Sequence, residues 1–122
     1  MDKLDEIFAM QRALDEEIIS RRGLTDIPME QWVQKDILAM LSELGEVLDE
    51  VNFKWWKNPK QIDRAALSEE LVDVLHFFIS MCIHAGLDAE TMHRIYTEKN
   101  KENMNRQLGR SQKPGYAVWE NK

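Results

Sequence analysis

Apolar residues recur every three or four positions through most of this chain, the spacing that places side chains on one face of a helix. Over about residues 2–21, Leu4, Ile7, Phe8, Leu14, Ile18 and Ile19 form such a stripe opposite charged positions, predicting an amphipathic helix that lies on a surface. A longer stripe, Val33, Ile37, Met40, Leu41, Leu44, Val47, Leu48 and Val51, predicts a core helix over about 29–52, with Thr25 or Asp26 as its cap and Pro28 in its first turn. The third segment, about 63–85, is apolar nearly all round from Leu71 onward, so it is expected at the centre of the fold. Gly86 ends it and Asp88 caps a fourth helix over about 88–107, where Met92, Ile95 and Tyr96 make a narrower stripe. A tail bearing Gly and Pro follows over 108–122.

Composition turns this pattern into an architecture. At 122 residues the chain has material for one modest core, so a single domain spanning 1–122 is expected, and 5 Gly with 3 Pro leave few interruptions for long helices. The expected fold is all-α: a four-helix antiparallel bundle with a short C-terminal tail, self-associating through the apolar third helix as a dimer or a dimer of dimers. A net charge of −6 argues against a duplex nucleic-acid partner, which calls for a basic patch, and favours a multivalent cation. The first residues lack the apolar core of a signal peptide and no apolar run approaches membrane-spanning length, so no membrane partner is expected and the location is taken as cytoplasmic. Cys82 lies in an apolar helical run and reads as a buried structural thiol.

Acidic residues then supply candidate chemistry. Asp73 interrupts the apolar third segment, where an unpaired buried carboxylate is costly, and Glu70 stands one turn before it on the same face. Glu43 and Glu46 repeat that spacing at the border of the second helix's stripe. Two acidic pairs on adjacent helices point to a hard cation held by oxygen, and Mg²⁺ in such a site is completed by water and substrate phosphates. Acids three apart also arise by chance in acidic helical proteins; Glu46 and Asp49 are such a pair. His76, three residues after Asp73, has one half of a di-iron ligand spacing, but no second carboxylate-x-x-His borders a core stripe, so it reads as a hydrogen-bonded core residue. His84 and His93 show no ligand pattern.

The sequences E-L-G-E at 43–46 and E-L-V-D at 70–73 resemble the E-x-x-E and E-x-x-D signature of the all-α nucleoside triphosphate pyrophosphohydrolases, the MazG-like superfamily. Within it the chain is more similar to the dimeric dUTPase family, from its first helix through to Trp119. M-Q-R-A-L-D at 10–15, F-K-W-W-K-N at 53–58, L-V-D-V-L-H-F at 71–77 and Y-T-E-K-N-K-E-N-M-N-R-Q at 96–107 carry that likeness, the last being the most specific. The resemblance implies that Glu43, Glu46, Glu70 and Asp73 bind Mg²⁺, more than one ion and replaceable by Mn²⁺, and that Gln11 and Asp15 read the base. Lys99, Asn103 and Arg106 would hold phosphates or ribose. Trp56 would stack near the base, with Lys57 reaching toward phosphates, although these loop aromatics could equally seal the end of a bundle. Glu43 or Glu46 would orient the attacking water.

Three departures from the family bear on specificity. Its members usually carry Asn at position 15, and Asp15, when ionised, accepts hydrogen bonds without donating any. Arg110 replaces a Tyr of longer relatives, and those relatives insert a helical region where this chain runs straight from His76 to Gly86. The expected activity is Mg²⁺-dependent hydrolysis of dUTP to the monophosphate and pyrophosphate. The alternatives are a MazG-like enzyme with other or broad base specificity, dCTP included, and a non-enzymatic nucleotide-binding helical dimer.

Overall fold

The computed structural model describes residues 1–116, which form four α-helices and no strand: α1 (Lys3–Arg22), α2 (Met29–Glu50), α3 (Arg64–His84) and α4 (Ala89–Gln107). The fold is all-α. Trp119, the last residue of the family resemblance, lies outside the described residues.

Local chemistry sets the ends of these helices. Asp2 accepts a hydrogen bond from the Asp5 backbone N–H while Asp5 accepts from the Asp2 N–H, a reciprocal box that starts α1. Gly23, at φ 65°, closes it in the left-handed region that glycine enters without strain. Neither Thr25 nor Asp26 caps α2. Pro28 holds that position, with no side-chain hydrogen bond, and its carbonyl takes the N–H groups of Gln31 and Trp32. At its other end α2 stops at Glu50, two residues before the expected 52, because Asn52 turns left-handed at φ 57°. The Asn52 amide then clamps Lys60, donating to its carbonyl and accepting from its N–H at 2.9 Å each, which closes the loop between α2 and α3. Asp63 and Asp88 cap α3 and α4 by accepting from Ala66 N–H and Thr91 N–H.

The chain forms two compact units, Met1–Leu87 and Asp88 onward. In the first, both α1 and α2 pack against α3, making it the central element that its all-round apolar sequence predicts. Side-chain pairing gives the directions. Asp36 meets His84 near one end and Glu46 meets Glu70 near the other, so α2 and α3 are antiparallel. Gln11 meets His76 and Asp15 meets Ser80, so α1 and α3 run parallel.

Phe8, Ile79 and Cys82 are the buried apolar residues of this unit, and burial pushes the Cys82 thiol up from its ordinary value. Two expectations of the apolar pattern fail here. Leu14 and Ile18 are exposed, and the face that α1 buries is Phe8, Gln11 and Asp15. On α3, Asp73 is only half-buried, not buried, while Leu71, Val72 and Leu75 are exposed in the single copy, on the helix expected to self-associate. Polar side chains link α3 to both α1 and α2, and part of the apolar stripe faces outward in a single copy.

The second unit holds α4 and the segment after it. Its chain turns at Gly109, and Ser111 Oγ–H donates to Glu102 at 2.6 Å. That hydroxyl, followed by the Arg106 guanidinium, lowers the Glu102 carboxyl below its ordinary value, and Arg106 also lies 5.5 Å from the Tyr116 ring centroid. No single helix among the described residues is long and apolar enough to cross a membrane.

Candidate active site

Antiparallel packing of α2 on α3 sets two acidic pairs facing each other. Glu43, Glu46 and Glu70 each place a carboxylate oxygen within 4.8 Å of the other two. Asp73, one turn after Glu70, stands outside that tight group, yet its charge acts on both Glu43 and Glu70. The Oε2 atoms of Glu43 and Glu70 are shielded from solvent and have no hydrogen-bond partner. Contact with the Glu46 carboxyl, then burial, then the charges of Glu46, Asp73 and Glu43 push Glu70 up to about 7. Burial, followed by Glu46 and Asp73, raises Glu43 as well. No Lys or Arg among the described residues pairs with this cluster. Acceptor oxygens gathered without a donor must take up protons or a cation, and an all-oxygen set suits a hard divalent ion.

Further along α3 a line of polar side chains joins three helices. Gln11 Nε2–H donates to Asp15 Oδ1 at 2.9 Å, and Ser80 Oγ–H donates to Asp15 Oδ2 at 2.9 Å. An ionised carboxylate only accepts, so the Gln11 amide must turn its NH₂ toward Asp15 and its oxygen toward His76. That oxygen lies 2.6 Å from His76 Nδ1, which therefore carries the proton. Ser80 stands beside Asp36 too, and Asp36 Oδ2 is 2.6 Å from His84 Nδ1. Burial, only partly offset by His84, raises the Asp36 carboxyl above its ordinary value. Trp32 stacks on the His84 ring with centroids 4.6 Å apart, and His84 Nε2 is shielded and unpartnered.

Gln11 and Asp15 are thus brought together on one seam, both buried. Sequence reasoning singled out neither Ser80 nor the Asp36–His84 pair, although it read His84, like His76, as a hydrogen-bonded core residue, which His84 is. Their signal is the i, i+4, i+8 run of His76, Ser80 and His84, which places three polar groups on one face of an otherwise apolar helix. His76 is hydrogen-bonded, as expected, although exposed rather than in the core.

The remaining candidates fall on the α2–α3 loop and on α4. Trp56 is exposed in the α2–α3 loop, edge-on to Trp55 and Phe53. Lys57 lines an open cleft there with Asn52, Phe53 and Lys54. In the second unit Lys99, Asn103 and Arg106 line a common cleft on α4 with Glu98 and Glu102. Arg106 is already engaged, donating to Glu102 and to Asn103 at 3.2 Å each.

The sequence profile of a family described as dUTPase matches residues 3–92, which takes in α1, α2, α3 and the four carboxylates. The chain belongs to the all-α dUTPase family. Among curated relatives of this family member, a dCTP pyrophosphatase of Enterobacteria phage T4 is 31% identical over 87 residues, covering 60% of this chain and 51% of the relative. A DNA replication protein of the same phage is 29% identical over 85 residues, covering 58% of this chain and 22% of the relative. The chain therefore spans about half the length of the first relative and less of the second. No solved structure matches it.

Proposed function

We propose that this chain hydrolyses a pyrimidine deoxynucleoside triphosphate to the monophosphate and pyrophosphate, with Glu43, Glu46, Glu70 and Asp73 holding Mg²⁺, or Mn²⁺ in its place. The observation that carries this reading is the Glu43–Glu46–Glu70 group with its two shielded, unpartnered oxygens. Four carboxylates exceed what one Mg²⁺ commonly takes from protein, so the site suits more than one ion. When bound, the metal supplies charge neutralisation at the phosphoryl oxygens. The chain's own groups do the rest: Glu43 or Glu46 orients the attacking water and accepts its proton, and Lys99, Asn103 and Arg106 grip phosphate or ribose.

Spacing along α3 supports a nucleotide of this length. Gln11 and Asp15 meet α3 at His76 and Ser80, six and seven residues beyond Glu70 and Asp73, or about 10 Å at a rise of about 1.5 Å per residue. Phosphates at the carboxylates would leave the base near that seam, on the far side of the carboxylates from the α2–α3 loop, so in this proposal Trp56 stacks on a base held by a second copy. Family membership favours dUTP; the phage dCTP pyrophosphatase and the acceptor-only Asp15 favour a second reading, dCTP. The functional unit in this proposal is a homodimer or a dimer of dimers, since both packed helices leave apolar residues exposed.

Pyrophosphate release from a panel of nucleoside triphosphates, with Mg²⁺ and with a chelator, is the test. Metal-dependent release from a pyrimidine deoxynucleotide is expected. Binding without turnover under every condition would instead support the non-enzymatic reading.

A further inference from the structure

We propose that Ser80 sets the base preference of this site, by fixing the orientation of the Asp15 carboxylate so that the Asp15–Gln11 pair takes the amino edge of cytosine ahead of the imide edge of uracil. The inference rests on the reading that the seam meets the base.

Two donors already fix the pair. Asp15 accepts from Gln11 at one oxygen and from Ser80 at the other, and each oxygen keeps a second lone pair. Gln11 spends one N–H on Asp15 and its oxygen on His76, which leaves one N–H. What remains to meet a ligand is an acceptor beside a donor. Ser80 has one proton to give and two carboxylates near it, Asp15 and Asp36. Since Asp36 is bonded to His84 at 2.6 Å, the serine proton is available to Asp15.

An acceptor beside a donor matches cytosine through its 4-amino group and N3, with O2 beyond the amide and away from the carboxylate. Uracil can offer N3–H and O4 to the same pair. The carboxylate then faces O2 on its other flank, two acceptors in contact with no proton between them. One unmatched polar contact of this kind is worth on the order of tenfold in binding.

Binding and turnover separate this inference from the proposed activity. Calorimetric titration with the non-hydrolysable α,β-imido analogues of dCTP and dUTP, in Mg²⁺, should give a dissociation constant about tenfold lower for the dCTP analogue. Ser80→Ala should bring the ratio close to one by weakening the dCTP analogue alone, and Ser80→Thr, which restores a hydroxyl, should recover it. Asp15→Asn, which adds a donor at the same size, should move the preference toward the dUTP analogue. A merely structural Ser80 would weaken both analogues together and leave the ratio unchanged. Equal binding of the two analogues by the unmodified chain, tighter binding of the dUTP analogue, no binding of either, or an unchanged ratio in Ser80→Ala would each overturn the proposal, whatever the turnover. If Ser80→Ala does not fold by circular dichroism, the unmodified ratio and Asp15→Asn still decide. Discrimination between the analogues without pyrophosphate release would sink only the hydrolytic reading.

Discussion

A carboxyl that faces other carboxylates and no cation holds its proton longer, and Glu70 is such a group, pushed up to about 7. Its folded value lies above its ordinary 4.5, so between those values the folded, metal-free chain binds more protons than the unfolded one. The stabilising contribution is fully present below 4.5 and is lost as pH rises toward about 7. Thermal melts in a chelator should therefore show Tm falling from about pH 5 to about pH 8, and added Mg²⁺ should raise Tm most at the upper end, where the site is deprotonated. A flat profile in chelator would mean that the carboxylates are not crowded in solution. Asp73→Asn removes one of the charges that raise Glu70 and Glu43, so it should flatten that slope while leaving helix content unchanged. The rate of the proposed hydrolysis should drop by more than the about 10–100-fold typical of groups that only support a metal's ligands, since Asp73 is itself a proposed ligand. Spacing made these residues legible: acids one turn apart on two helices were enough to bring them to notice. Burial was misjudged, because whether the neighbours of Asp73 face inward depends on which faces pack, and periodicity is silent on that.

At the scale of elements, the four helices were legible to within two residues at each end. Punctuation explains that success, since Gly86, Asp63 and Asp88 act through backbone chemistry that needs no tertiary partner. The α2 cap and the buried face of α1 were not legible. A hydrophobic stripe locates a buried face only when that face is apolar, and α1 buries Gln11 and Asp15 beside Phe8. With so few buried apolar residues in this unit, each should matter. Ile79 is 1% exposed on central α3, and Ile79→Ala should cost about 2–5 kcal/mol in denaturant unfolding, the range for emptying a core site. Asp63→Ala, which removes only the α3 cap, should cost about 1 kcal/mol. If the two losses were equal, Ile79 would not be the anchor that its burial indicates.

Across the whole molecule, the apolar residues that a single copy leaves uncovered follow a rule. Ile37, Leu41, Leu44, Leu48 and Val51 step by four and three along α2 and its C-cap and are each between 40% and 59% exposed. That is the heptad spacing of a seam made for a facing helix, and α3 continues it with exposed Leu71, Leu75 and Phe78. A soluble chain rarely leaves such a band in water, so a second copy is the expected cover, in keeping with the proposed dimer. Charging the middle of the α2 band tests this without touching Ile79 or the polar seam. Sedimentation at micromolar concentration should show the unmodified chain as a dimer or tetramer, and Leu41→Lys combined with Leu48→Lys should shift it to the monomer. Because Leu41 and Leu48 are both exposed in the single copy, its helix content should persist while Tm falls and loses its dependence on protein concentration. A monomeric unmodified chain with a concentration-independent Tm would reject the dimer, and would require another partner to cover the α2 and α3 seams.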